Sequence, residues 1–144
     1  MLVLFEHMDY FKWKTIAPGE LIVDDDAPLE GEATNVLVAF TTILNEDIEG
    51  KDITKLLNKA CDKIYIAARK VNAQVIVIYP FAHLTNAQLA NPHLAVQLLK
   101  QIESEISKRN KRLRVVRTPF GWHKQREART ASHEKAIAFK EVKV

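Results

Sequence analysis

The sequence is poor in the residue types that build several common kinds of functional site. Its single cysteine, Cys61, rules out an internal disulfide and a multi-cysteine metal site, so we expect a reducing compartment. There is no His-x-x-x-His pair, no glycine-rich phosphate loop and no Gly-x-Ser-x-Gly elbow. The sequence therefore indicates no metal, no cofactor and no serine nucleophile.

Long apolar segments are also missing. No apolar run approaches the roughly 20 residues that cross a bilayer, and the start lacks the basic-then-apolar pattern of a signal peptide. We find no internal repeat and no low-complexity segment. We therefore expect a cytoplasmic protein, and 144 residues with 47% hydrophobic content suit one domain over residues 1–144.

Charge is spread unevenly along the chain, although the net charge is only +3. Residues 20–52 contain ten acidic residues and one basic residue, whereas residues 108–129 contain nine lysines and arginines and one glutamate. Such a basic segment is typical of a surface that binds a polyanion such as nucleic acid. It is equally typical of a solvated face, and the charge pattern leaves both interpretations open.

The order of predicted strands and helices indicates an α+β protein with a mixed or antiparallel sheet and two main helices. Apolar or alternating runs predict a hairpin of strands at 1–5 and 11–16, then strands at 36–43, 75–80, 113–118, 122–130 and 136–144. Apolar residues at helical spacing predict a helix over 53–71, and Asn91-Pro92 starts a second one. We expect Cys61 to lie in the core and the acidic residues 24–32 to form a loop.

Two segments of the chain share one pattern. In residues 74–84, QVIVIYPFAHL, an apolar strand stops at Pro80-Phe81 and His83 follows. In residues 113–124, LRVVRTPFGWHK, a strand again stops at Pro-Phe, and His123 and Lys124 follow. We therefore expect one pocket at adjacent strand ends, with His7 and Asp9 as possible neighbours.

Residue types alone leave the role of this pocket open. A cation, imidazoles and exposed backbone amides suit the stabilisation of an oxyanion while water attacks. However, a histidine after a buried strand is often structural, and a lysine on an exposed strand is often only solvated. Trp122 and Phe120 equally suit a core, and His7 with Asp9 equally suits a turn. Spacing alone thus predicts an α+β domain with a possible anion-binding pocket.

Three motifs resemble the N-terminal editing domain of archaeal threonyl-tRNA synthetases. They are YPFAHL at residues 79–84, the helix start LANP at residues 89–92 and TPFGWHK at residues 118–124. The apolar first strand before His7, Asp9 and Tyr10, followed by VLVAF at residues 36–40, is similar in order and spacing. The resemblance covers nearly the whole chain.

The resemblance implies a fold similar to D-aminoacyl-tRNA deacylase and the hydrolysis of serine wrongly attached to threonine tRNA. Serine is threonine less one methyl group, and a missing methyl costs a binding pocket only about 1–3 kcal/mol. A second, smaller site admits serine and excludes threonine by overlap with that methyl. The resemblance also implies that the 2′-hydroxyl of the last ribose of the tRNA helps to activate the water.

The resemblance assigns roles position by position. Lys124 matches a lysine implicated in catalysis, which holds the water or offsets charge on the tetrahedral intermediate, and His83 organises the pocket and the terminal adenosine. The other residues implied to bind the substrate are Ile43, Pro80, Phe81, Ala82, Phe120, Gly121, Trp122 and His123. Among these, the backbone groups of Pro80, Ala82 and Phe120 are implied to read the serine.

Two positions depart from the family pattern. His123 stands where relatives usually have tyrosine, and Ile137 stands where relatives carry an acidic residue four positions after a Gly-His pair. Glu134 is near in sequence, but on an alternating strand it faces the opposite side. We expect the acid to be dispensable because RNA and backbone groups supply the chemistry; an altered activity is the alternative.

Three readings of function therefore remain. The first is an aminoacyl-tRNA ester hydrolase that removes L-serine from threonine tRNA. The second is a D-aminoacyl-tRNA deacylase, and the third is a non-catalytic module that binds tRNA or docks on a synthetase. The expected partners are threonine tRNA, the remainder of the synthetase or a separate aminoacylating subunit, and a second copy in a homodimer. The end at Val144 is compatible with an excised domain or with a separate editing subunit.

Overall fold

The computed structural model describes residues 1–20, 22–24 and 26–144. Within these residues lie six strands and three helices. Their order along the chain is β1 (Leu2–Pro18), β2 (Glu30–Thr42), α1 (Asn45–Ile48), α2 (Ile53–Lys70), β3 (Val75–Pro80), α3 (Pro92–Arg109), β4 (Arg114–Arg117), β5 (Trp122–Thr130) and β6 (Ile137–Glu141). Among the described helices, none is long and apolar enough to cross a membrane.

The described strands form one mixed sheet. Its order is β4-β3-β2-β1-β5, and β6 pairs with the first residues of β1, on the edge of β1 that β5 occupies farther along. The pairs of β1 with β2, β5 and β6 are antiparallel, whereas β2, β3 and β4 run parallel to one another. Parallel neighbours need long crossover connections, which contain α2 and α3. The ends of β3 and β4 therefore lie at one edge of the sheet, and the two Pro-Phe turns leave from that edge.

Helices α2 and α3 cover one face of the sheet. Asp52 caps α2 by accepting a hydrogen bond from Lys55 N, and Asn91 caps α3 by accepting from His93 N and Leu94 N. The apolar stripes of both helices pack on alternate sheet residues, and this core includes Val3, Phe5, Leu37, Ala39, Ile64, Ile76, Ile78, Leu99 and Ile102. Cys61 belongs to this core, as expected, and burial raises the pKa of its thiol to about 11.

Among the described residues, the core on the other face of the sheet is built by side chains of the strands, without a helix. Ala33 and Val36 are three positions apart yet bury on the same side, because Asn35 between them has φ +47° and interrupts the alternation. In β1, Met8 and Phe11 are also three positions apart and buried on the same side, and the register with β5 shifts between them. We infer that these adjacent irregularities bend β1, β2 and β5 over the sheet.

A side-chain contact spans this face of the sheet. β5 lies three strands from β3 in the sheet order. The Lys124 ammonium on β5 nevertheless lies 5.1 Å from the centre of the Tyr79 ring on β3, so the two side chains meet over the strands between them. The enclosed second core contains Phe11, Trp13, Val38, Phe40, Val77 and Tyr79.

The prediction of two short strands at 1–5 and 11–16 was wrong, because β1 is one continuous strand over both. Residues 6–10 are polar apart from Met8, yet the segment pairs with β2 and so remains in the sheet. The acidic segment was also only partly a loop, since Glu30 and Glu32 lie in β2 and Asp24 is buried. The α+β class and the mixed sheet were predicted correctly.

Candidate functional site

A cavity of about 420 Å³ opens at the sheet edge where β3 and β4 end. The structure brings every site residue predicted from the sequence to this cavity. Its lining includes Ile43, Pro80, Phe81, Ala82, His83, Phe120, Gly121, Trp122, His123 and Lys124. Their placement together follows from topology, because β3 and β4 are parallel neighbours and the chain leaves both at the same edge. The roles of these residues stay predictions.

The first wall of the cavity is the turn that follows β3. Its backbone is fixed by the end of β2: Phe81 N donates to Thr41 O at 2.9 Å, and Thr42 Oγ1 donates to Phe81 O. The ring of Phe81 packs on Phe40 with ring centres 5.5 Å apart. The wall is therefore rigid, with Ala82 and His83 exposed at the rim.

The second wall is the turn between β4 and β5. The chain after β1 holds it through two backbone hydrogen bonds, from Gly19 N to Gly121 O at 2.6 Å and from Asp24 N to Phe120 O at 3.0 Å. Asp24 is in turn ion-paired with the buried Arg117 at the end of β4. The ion pair of Asp24 with Arg117 does not itself line the cavity, but it supports the second wall through Asp24.

Gly121 is the tightest point of this wall. Its φ is +80°, and a Cβ added there would lie 1.9 Å from Ile22 O. We expect Gly121→Ala to lower the free energy of unfolding by about 3 kcal/mol, from backbone strain and overlap together. Gly50→Ala is the matched control, because Gly50 has φ +67° but open space around it. This control is expected to cost about 1–2 kcal/mol. Urea unfolding of both variants measures the difference, and equal losses would show that the contact with Ile22 is unimportant.

Lys124 is the cation of the cavity. Its ammonium donates to Pro119 O at 2.7 Å and to Trp122 O at 3.2 Å. It also lies over the Tyr79 ring. Burial lowers the pKa of Lys124 to about 8. Within the described residues no carboxylate forms an ion pair with it. An ammonium has three donors, so one stays available for a ligand in the cavity.

The N-terminal part of α3 forms an apolar side of the cavity. Pro92, Ala95 and Leu99 contribute to the lining together with Ile43. Their small or aliphatic side chains offer no hydrogen bond, so this side distinguishes ligands by shape alone. The cavity therefore combines one cationic wall with one apolar wall.

The aromatic and imidazole side chains contribute differently. His83 packs edge-on against Phe81, with ring centres 5.3 Å apart, and is exposed. His123 is exposed as well. Trp122 is partly buried, and its indole Nε1 is buried without a hydrogen-bond partner among the described residues. Trp122 is thus the one predicted site residue with a buried donor left unpaired.

Arg126 was missed by the sequence reasoning. It lines the cavity, and its guanidinium carbon lies 5.4 Å from the Phe40 ring centre and 5.7 Å from those of Tyr79 and Phe81. The signal was present, because residues two apart on a strand share a face and Lys124 was already in the predicted site.

Four residues considered from the sequence do not line the cavity. His7 hydrogen-bonds instead to His133 and Asn35, both at 2.7 Å, and Asp9 pairs with Arg129 at 2.8 Å. Glu134 lies in the turn before β6 rather than on an alternating strand, so the argument about its face was wrong. Ile137 is on β6, pairs with Glu6 and is 58% exposed. The absence of an acid at Ile137 therefore leaves the lining of this cavity unchanged.

The site can stabilise negative charge on a small ligand. Its ammonium is held beside backbone turns, where a fixed donor stabilises developing charge more than water does. Among the described residues, no group of three or more His, Cys, Asp and Glu side chains is placed to hold a metal ion.

Sequence comparison finds relatives along almost the whole chain. The family model described as the archaea-specific editing domain of threonyl-tRNA synthetase matches residues 1–142. A threonine–tRNA ligase of Methanosphaera stadtmanae is 38% identical over 135 residues, which are 92% of this chain and 21% of that protein. A threonine–tRNA ligase editing subunit of Saccharolobus solfataricus is 36% identical over 125 residues, which are 86% of this chain and 30% of that protein. The chain thus spans less than a third of either relative.

Structure comparison bears on the fold. The c-Myc DNA Unwinding Element Binding Protein superposes with a TM-score of 0.63 over 98% of both chains, at 11% sequence identity. The fold is the D-aminoacyl-tRNA deacylase-like α+β fold that the resemblance predicted.

Proposed function

The chain belongs to the archaea-specific editing domains of threonyl-tRNA synthetase, and from this premise we propose that it removes L-serine from mischarged threonine tRNA. Residues 1–144 act in this proposal as one editing domain. The single observation that carries it is the cavity at the ends of β3 and β4, which holds a partly buried lysine fixed by the backbone of the second turn. Membership of the family supports a role in proofreading, and the cavity supports the hydrolysis of an ester.

The apolar side of the cavity supports a double sieve. The aminoacylating site has to distinguish threonine from serine by one methyl group, which is worth about 1–3 kcal/mol. An editing site makes the opposite selection: it accepts serine and rejects threonine, because the extra methyl group of threonine would overlap with the wall. The apolar side formed by Ile43, Ala95 and Leu99 and the turn at Ala82 are the surfaces that would meet the extra methyl.

Lys124 stabilises the negative charge that develops as water attacks the ester. Two of its three donors bind Pro119 O and Trp122 O, which fixes the ammonium before the substrate arrives. The third donor is directed to the ester oxygen or to the attacking water. Because burial lowers the pKa of Lys124 to about 8, the group is mostly protonated at neutral pH and acts as a cation.

The 2′-hydroxyl of the terminal ribose assists the water. No carboxylate lines the cavity among the described residues, so no aspartate or glutamate is placed there to act as a general base. Replacing the terminal adenosine by 2′-deoxyadenosine tests this part of the proposal. Undiminished hydrolysis of the deoxy substrate would remove the hydroxyl from the mechanism and leave the rest intact.

We extend the proposal to the partners of the chain, its location and its assembly. The partners are threonine tRNA carrying a serine ester at its 3′-terminal adenosine and an aminoacylating part, which is either joined to this chain or a separate subunit. We also propose a cytoplasmic homodimer. The name of the Saccharolobus solfataricus relative, an editing subunit, supports the separate arrangement as one that occurs in the family.

Deacylation of seryl- and threonyl-tRNA in parallel tests the proposal. We expect seryl-tRNA to be hydrolysed about 10- to 200-fold faster, because one methyl group in a tight pocket is worth that factor. D-Seryl-tRNA is the third substrate, and faster turnover of the D-form would identify a D-aminoacyl-tRNA deacylase. Binding of a seryl-adenosine analogue without turnover of any of the three would favour a non-catalytic module.

A further inference from the structure

Arg126 has a position that the proposed hydrolysis does not use. It lies two residues after Lys124 on β5 and opposite Trp13 in the register with β1. Its guanidinium stacks near Phe40, Tyr79 and Phe81, at 5.4 to 5.7 Å from each ring centre. Three rings from β2, β3 and the following turn therefore fix one arginine at the mouth of the cavity.

The donors of Arg126 are left without a protein partner. Within the described residues, Arg126 has neither an ion pair nor a side-chain hydrogen bond, whereas Arg109, Arg117 and Arg129 each pair with an aspartate. Its side chain is exposed. A guanidinium held by aromatic faces keeps its planar fork of donors free at the edge, and that fork matches the geometry of a phosphate.

We propose that Arg126 binds the phosphodiester on the 5′ side of the terminal adenosine of the substrate tRNA. This assignment rests on the proposed function, because it takes the aminoacyl ester to lie at Lys124. Alternate residues of a strand are about 7 Å apart, and the ribose that separates a 3′-ester from a 5′-phosphate spans a comparable distance. One nucleotide can therefore contact both cations of β5, with its ester at Lys124 and its phosphate at Arg126.

The same arrangement explains how substrates are held in register. Phosphate contacts position a nucleic acid without reading its sequence. A fixed phosphate at Arg126 sets how deep the esterified amino acid reaches past Lys124, and depth decides whether an extra methyl meets the apolar wall. Arg126 is in this sense a positioning residue for the sieve.

Binding of two non-hydrolysable analogues tests the proposal. The first is 3′-seryl-amino-3′-deoxyadenosine, and the second carries in addition a 5′-methyl phosphate, a diester with one charge. We expect the phosphate to tighten binding to the 144-residue chain at least tenfold, as a charge-assisted bidentate contact does. In Arg126→Gln this gain should fall below twofold, while the affinity for the unphosphorylated analogue is unchanged. Arg126→Lys should retain part of the gain, because lysine keeps the charge without the fork.

Arg129→Gln is the matched control. Arg129 is on the same strand and also lies over an aromatic ring, that of Tyr10 at 5.7 Å, but it is paired with Asp9 and does not line the cavity. The phosphate gain should persist in this variant. A phosphate that adds nothing in the wild type, a gain that survives Arg126→Gln, or no binding of either analogue overturns the proposal. An equal loss for both analogues also overturns it, since that result indicates stacking on the nucleoside.

Deacylation of seryl-tRNA by the same preparations separates this inference from the proposed function. If seryl-tRNA is hydrolysed but the 5′-phosphate has no effect on binding, only the assignment of Arg126 is refuted. If binding depends on the phosphate but no turnover occurs, the proposed hydrolase function is refuted and Arg126 remains an anion-binding site.

Discussion

Lys124→Met is expected to lower kcat for seryl-tRNA by about 10²- to 10³-fold, the usual effect of removing one fixed donor from an oxyanion site. Methionine keeps most of the unbranched apolar stem near Tyr79, but it has no charge and no donor. The fold should tolerate the change, because desolvation already opposes the charge of Lys124, as its lowered pKa indicates. Single-turnover deacylation measures the rate, and urea unfolding checks the stability.

One control variant and one independent test accompany this result. Lys63→Met, the control, removes an exposed lysine of α2, away from the cavity, and should leave the rate unchanged. The pH profile of the wild type is the independent test. Since the pKa of Lys124 is about 8, the ammonium is present below that pH and is lost above it, so kcat corrected for uncatalysed hydrolysis should fall above pH 8. A rise through the same range would instead indicate a neutral lysine acting as a base. An unchanged rate in Lys124→Met would remove the lysine from the mechanism.

The sequence predicted most elements of the fold from local patterns alone. The strand at 122–130, the end of β3 at Pro80 and the start of α3 at Pro92 were found where the structure has them. These elements carry strong local signals: alternation, a proline, or an asparagine cap. The continuity of β1 has no such signal, because the largely polar segment 6–10 is kept in the sheet by pairing with β2.

The candidate site was predictable to a similar extent and for a similar reason. Each Pro-Phe turn is visible in the sequence, and parallel neighbours bring the two turns to one edge. The contributions of Thr42 and the α3 wall depend on the fold of the sheet and on the crossover, which no local pattern reports, whereas Arg126 could have been found from its position two residues after Lys124. His7 and Asp9 were considered for the site because they follow an apolar strand, but the strand continues past them and carries them away from the cavity.

Asp24 shows the limit of reading charge from composition. In an acidic segment it looks like one more solvated carboxylate, yet its side chain is 1% exposed and contacts Arg117, which is 3% exposed. Glu103 lies 3.7 Å from Arg117 Nε, and Lys100 lies 4.0 Å from Asp24. Burial lowers the pKa of Arg117, which means that desolvation opposes its charge and that Asp24 has to offset this cost.

Asp24→Ala is therefore expected to lower the free energy of unfolding by about 3–5 kcal/mol, because it leaves the Arg117 charge buried with only Glu103 nearby. Asp26→Ala is the matched control: Asp26 is two residues on and 72% exposed, and its pair with Lys100 is worth at most about 1 kcal/mol. Urea unfolding at neutral pH gives both values.

The double variant Asp24→Ala/Arg117→Met separates the lost charge pair from lost packing. If the uncompensated guanidinium causes the loss, removing it should restore much of the stability, and the two substitutions will be strongly non-additive. The restored stability need not restore the site, because the side-chain pair fixes residue 24, whose backbone N–H holds Phe120 O of the second wall. We therefore expect the double variant to fold and yet to hydrolyse seryl-tRNA with less discrimination against threonyl-tRNA. Additive losses of stability, or wild-type discrimination in the double variant, would show that the ion pair does not position this wall.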